Sequence, residues 1–176
     1  MLSKVGHENQ SETISHILVQ KAKAQFEKGS FRQAMEDLDD AFRFSPSVSA
    51  KILRLKLHLV QGQMEDANML LMELLKEHPM FSSFLFVSLD ELHKGAPQPA
   101  EYAQRLDTLK RTFLDMQDGD LMSAPSVVLS KIRLLKANER PQEAFELLDR
   151  WMKNHGQSDV LKMEYIKLLI AVGKSD

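Results

Sequence analysis

Six histidines are the side chains of this 176-residue chain best suited to metal or proton chemistry, at positions 7, 16, 58, 78, 93 and 155. No two of them stand four apart with a glutamate between, the arrangement that puts two imidazoles on one helix face for zinc. Asp39-Asp40 and Asp90-Glu91 are the obvious carboxylate pairs, and each sits among lysines and arginines in a helical stretch, as a solvated face does. The acidic run 115–120, DMQDGD, has its glycine at the fifth place rather than the sixth and no glutamate at the twelfth, so it does not make a calcium loop. The glycines are spread far apart, unlike the paired glycines before Lys-Ser or Lys-Thr that cradle a phosphate. With no cysteine, thiolate catalysis, disulfides and sulfur-ligated zinc are excluded. No constellation for catalysis remains, and neither a metal nor a cofactor is expected.

Charge narrows the partners further. Twenty-three Lys and Arg against 25 Asp and Glu give a net charge of −2, with no long run of one sign, which offers no footprint for nucleic acid or anionic lipid. No apolar stretch approaches the roughly 20 residues of a membrane span, and the leading MLSKVGHENQSET has no hydrophobic core for a secretory signal. A cytoplasmic protein is expected, long enough to bury a core as one domain or one solenoid.

The elements in the chain are helices, and they recur. In QFEKGSFRQAMEDLDDAFRFSP (25–46) a helix ends near Lys28, Gly29 makes the turn, and a second helix carries Ala34, Leu38 and Ala41 on one face before Pro46. Small residues there allow close approach of a facing helix, and Phe26 and Phe31 can wedge between the two. Gly29 recurs at Gly62 and Gly95 in steps of 33 residues, and Pro46 recurs at Pro79. The stripe maps onto Ala67, Leu71 and Leu74, and again onto Ala144, Leu148 and Trp151 in a copy whose glycine position is held by Glu139. Gly173 lies 34 residues beyond Glu139.

Around this register, Ser11 is expected to cap a first helix carrying Ile14, Ile17, Leu18, Ala22 and Phe26, with 1–10 as a flexible leader. SVSAKILRLKLHLVQG (47–62) is apolar on nearly every side, as an inner helix would be. FSSFLFVSLDELHKG (81–95) reads as a helix with a cap at Lys94-Gly95. The next helix places Tyr102, Leu106, Leu109, Phe113 and Met116 at spacings of four, three, four and three. From Gly95 to Glu139 there are 44 residues, about ten more than the period, so a bend or a division into lobes is expected near 118–125. The organisation predicted is a leader at 1–10, three helical hairpins at 11–117, and a fourth hairpin with a terminal helix at 118–176.

A period of 33 to 34 residues with these glycine, alanine, leucine or aromatic, and proline positions resembles the tetratricopeptide repeat family over roughly residues 14–173. The resemblance implies an all-α, right-handed solenoid of antiparallel hairpins, about four plus a terminal helix. It also implies a concave groove lined by the first helix of each pair: Val19, Gln20 and Lys23, then Ile52, Leu53 and Lys56, then Leu85, Phe86 and Leu89, then Leu129 and Arg133; Leu53, Phe86 and Leu89 are core instead if superhelical curvature closes that groove. Family members that hold chaperone C-termini use a clamp of Lys, Asn and Arg. Here the matching places are Val19, Lys23, Leu53, Ser82 and Phe86, which keep one lysine and argue against that role. The function implied is a non-enzymatic adaptor or scaffold taking an apolar or amphipathic segment of a protein or peptide partner. The alternative is a structural or regulatory assembly module from a larger signalling protein. It would associate through the last helix, as a homodimer or with a neighbour, because Leu161–Val172 is apolar on two faces. Either Tyr165 and Leu169 or Ile166 and Ile170 would then lack a partner.

Overall fold

The structure is a computed structural model that describes residues 2–92, 98–116, 119–156 and 158–173. These hold nine α-helices and no strand: α1 Leu2–Glu27, α2 Phe31–Phe44, α3 Val48–Gln61, α4 Met64–Glu77, α5 Ser82–Leu92, α6 Pro99–Asp115, α7 Pro125–Ala137, α8 Pro141–His155 and α9 Asp159–Val172. Short 3-10 turns occupy Pro79–Phe81 and Asp120–Ser123. The cap at Lys94-Gly95 and the backbone at Pro97 lie outside the described residues, while Pro99 opens α6, where its missing N–H costs nothing.

Two departures from the sequence reading concern boundaries. α1 begins at Leu2, so 1–10 is not an irregular leader and Ser11 lies inside the helix rather than capping it. No proline interrupts this stretch, and Glu8, Gln10 and Glu12 tolerate a helix well. The chain also forms two compact units that do not divide at 118–125. One consists of Met1–Met72 with Leu89–Leu106, the other of Glu73–Ser88 with Asp107–Asp176.

In the first unit, the predicted alanine stripe does what small side chains allow. Ala34, Leu38 and Ala41 of α2 are wholly buried with Val19, Ala22 and Phe26 of α1 and Ala50, Leu53 and Leu57 of α3. Phe26 and Phe31 meet with ring centroids 5.6 Å apart beside the turn between their helices. Leu38, with no exposed surface, stabilises this contact by about 1.5–3 kcal/mol. Ser15 donates to the Ser45 carbonyl at 2.6 Å, and Ser47 caps α3 by accepting from the Ala50 N–H. At the other end of α3, Arg105 donates to the carbonyls of Leu59 and Val60 at 3.1 and 2.6 Å, satisfying acceptors that a helix C-terminus leaves open.

The second unit is built on Leu85, Phe86, Leu109, Phe113, Val127, Val128, Ile132, Ala144, Leu148 and Trp151, all buried. Phe86 and Phe113 pack at 4.9 Å between centroids. The ten extra residues have a structural use here. Met122 in the second 3-10 turn is buried, and its carbonyl accepts the Trp151 indole N–H at 2.7 Å. Lys131, also buried, donates to the Met116 carbonyl at 2.6 Å, just before the insertion. Ser82 donates to the Ser126 carbonyl at 3.0 Å and lies 2.8 Å from the Ser130 hydroxyl, a polar seam between α5 and α7.

Candidate functional site

Six of the residues predicted to line a groove are core. Val19, Ile52, Leu53, Leu85, Phe86 and Leu89 expose between 0 and 8 % of their surface. On α3 the cause is enclosure, since Ala50, Lys51, Ile52, Leu53, Leu55, Leu57 and Leu59 are all buried and leave no oily side to offer. On α5 the cause is phase. Ser82, Leu85, Phe86, Ser88 and Leu89 face inward, so the apolar surface left open belongs to Phe84 and Val87. Four residues of the predicted lining keep access to solvent besides Gln20: Lys23 and Arg133 are exposed, and Lys56 and Leu129 are half-buried.

These open positions have modest chemistry. Burial pulls the Lys56 ammonium below its ordinary value, with Glu91 opposing that shift and Lys23 reinforcing it. The three form a small mixed-charge cluster on the first unit. In the second unit Arg133 donates to the Ser83 hydroxyl at 3.1 Å. A cavity of about 280 Å³ lies beside Trp151, with Arg150, Asn154, His155 and Leu147 in its wall. His155 stacks on the indole at 5.1 Å between centroids. Among the described residues, no three of His, Asp and Glu converge as metal ligands would. No described helix is long and apolar enough to cross a membrane.

The terminal helix is different. Leu161 and Leu168 on one face of α9 are completely buried, and Tyr165 stacks on Phe145 of α8 at 5.4 Å between centroids. Glu164 anchors the same side through Lys136 of α7 at 2.5 Å and Lys167 at 3.6 Å. Burial works against the Glu164 carboxylate, but these two ammonium groups hold its pKa below the ordinary range. The opposite face has no such cover. Val160, Met163, Ile166, Leu169 and Ile170 are 61, 60, 51, 46 and 54 % exposed. Of the four predicted association residues, Ile166, Leu169 and Ile170 are therefore open, while Tyr165 is half-buried against its own chain.

No family model, curated protein or solved structure matches this chain.

Residues outside the prediction extend both apolar surfaces. Val160 and Met163 continue the α9 face towards its N-terminus. Met80, Phe81, Phe84 and Val87 form a second exposed group along the first 3-10 turn and α5, from 46 to 84 % exposed. The sequence signal for this second group is the spacing of Phe81, Phe84 and Val87 three apart. It competes with Leu85, Phe86 and Leu89, which are equally apolar and took the core.

Proposed function

We propose that this chain is a non-enzymatic protein–protein interaction module of the cytoplasm that docks on another protein through the uncovered face of α9. The observation that carries this reading is the stripe Val160, Met163, Ile166, Leu169 and Ile170 opposite the buried Leu161 and Leu168. Five half-exposed apolar side chains on one helix make a contiguous patch on the order of a few hundred Å², the size at which an exposed surface serves binding. Burying one such side chain is worth about 1.5–3 kcal/mol, so leaving five in water favours association.

The fold that goes with this function is a right-handed solenoid of antiparallel hairpins, about four with a terminal helix, of the tetratricopeptide type. Support for that register comes from the short turns. Gly29, Gly62 and Glu139, three of the positions matched by the repeat, share a left-handed backbone, Glu139 against the preference of its side chain, while Gly173 at the last matched position is right-handed, φ −71°.

A second reading, capture of an apolar or amphipathic partner segment, is favoured by Met80, Phe81, Phe84 and Val87 in the second unit. It replaces the predicted lining of Leu85, Phe86 and Leu89.

Size-exclusion of a lysate from cells that make the chain tests the proposal. The wild-type chain is expected in complexes larger than its own 20.1 kDa, and Ile166→Glu with Ile170→Glu should release it as a monomer with unchanged helicity. Release by Phe84→Asp instead would transfer the function to α5. A wild-type chain that runs as a monomer would sink both readings.

A further inference from the structure

We propose that the uncovered face of α9 is occupied by the same face of a second copy of this chain, the two helices running antiparallel about a two-fold axis beside Ile166. This rests on α9 being the docking face.

Area is the first argument. A stable interface takes about 800 Å² from each partner. The five apolar side chains supply several hundred Å² of that, and the stems of Lys162 and Lys167, with the edge of Tyr165, flank them on the same helix. A two-fold contact needs a patch that complements itself. This one qualifies, because its centre holds only aliphatic and thioether side chains and its ionic groups stand at the margins.

Charge selects the direction. Asp159 begins α9 with its carboxylate almost fully exposed and paired to Lys162 at 3.1 Å. Lys162 and Lys167 stand on opposite flanks of the stripe. Parallel helices would set Asp159 against its own copy and align the two macrodipoles. Antiparallel helices separate the two Asp159 carboxylates by the length of the helix. They also bring each Lys162 ammonium towards the partner's last turn, where open carbonyls make the negative end of the dipole. The lysine stems cover apolar surface while their heads stay in water.

The absence of cysteine makes the test clean, since a single introduced thiol can pair only with its own copy. Purified wild-type chain should show twice its monomer mass by light scattering at micromolar concentration. Ile166→Cys should form a disulfide-linked dimer under mild oxidation, and Met163→Cys mixed with Ile170→Cys should cross-link better than either alone. Ile166→Glu with Ile170→Glu should weaken dimerisation about a hundredfold or more, since two-fold symmetry forces two carboxylates from each copy into the contact, about tenfold for each substituted position. Because both positions are half-exposed, circular dichroism should stay unchanged. A purified monomer at near-millimolar concentration would overturn the second copy as occupant. If α9-dependent complexes persist in lysate at the same time, the docking face itself survives. A dimer that cross-links through Phe84→Cys and not Ile166→Cys would overturn the two-fold axis placed here.

Discussion

Glu139 holds at the α7–α8 turn the left-handed backbone, φ 57°, that Gly29 holds at the α1–α2 turn, φ 76°. A residue with a Cβ is strained by about 1–2 kcal/mol in that conformation, whereas glycine is not. Glu139→Gly removes the strain and gives back part of the gain through a more flexible unfolded chain. It should stabilise the protein by about 0.5–1 kcal/mol, read from the midpoint of urea unfolding. At Gly29 a Cβ would meet no atom within 4 Å, so Gly29→Ala should cost only the backbone strain, about 1 kcal/mol. A neutral or destabilising Glu139→Gly would mean that the turn does not share the glycine register.

Ala34 has no exposed surface and sits among Val19, Ala22 and Phe26 of α1. Replacing it with leucine forces extra methylenes into a closed contact, and the expected cost is about 1–3 kcal/mol. Thermal unfolding measures it. A variant that melts like wild type would show that α1 and α2 do not approach at this position.

Arg105 donates to two carbonyls in the last turn of α3 and pairs with Glu101 at 2.7 Å. Arg105→Met keeps the apolar stem and removes the donors. Because the site is partly open to water, the loss should be about 1–2 kcal/mol rather than the full penalty of a buried charge. Faster amide exchange at the α3 C-terminus should accompany it. Unchanged stability would show that water replaces the guanidinium without loss.

What the sequence made legible follows from how one-sided each helix is. The α2 stripe of Ala34, Leu38 and Ala41 is wholly buried, and Tyr102, Leu106, Leu109 and Phe113 of α6 are buried at the spacings read from the chain. On α5 the face expected to be open, Leu85, Phe86 and Leu89, is the buried one, because 81–89 carries apolar residues on both sides and periodicity does not say which side the neighbours take. Lys131 and Met122 were invisible for another reason. Each is buried through a hydrogen bond or packing supplied by residues some 15 to 29 positions away, and no local pattern records such partners. The open α9 face was readable as a surplus of apolar surface, and only the structure assigns Ile166 and Ile170, rather than Tyr165, to the uncovered side.

Tyr102 is buried and donates its phenolic O–H to the Leu89 carbonyl at 2.9 Å. Burial, and then the nearby Asp90 carboxylate, push its pKa well above the ordinary phenol value. The fold thus prefers the neutral phenol. Its contribution is complete below about pH 10, where an unfolded tyrosine ionises, and is lost progressively as pH rises beyond that. Stability should fall above about pH 10 in the wild type, and more gently in Tyr102→Phe, which also loses about 1 kcal/mol at neutral pH with its hydrogen bond. Parallel alkaline slopes for the two proteins would contradict this account.

Site-directed photo-crosslinking in cells shows whether this chain meets other protein molecules through α9. A benzophenone side chain placed at Ile166 should give discrete protein adducts on illumination, and the same probe at the exposed Glu36 of α2 should give none. An adduct of twice the chain mass would identify a second copy. No adduct at Ile166 above the level at Glu36 would contradict the claim.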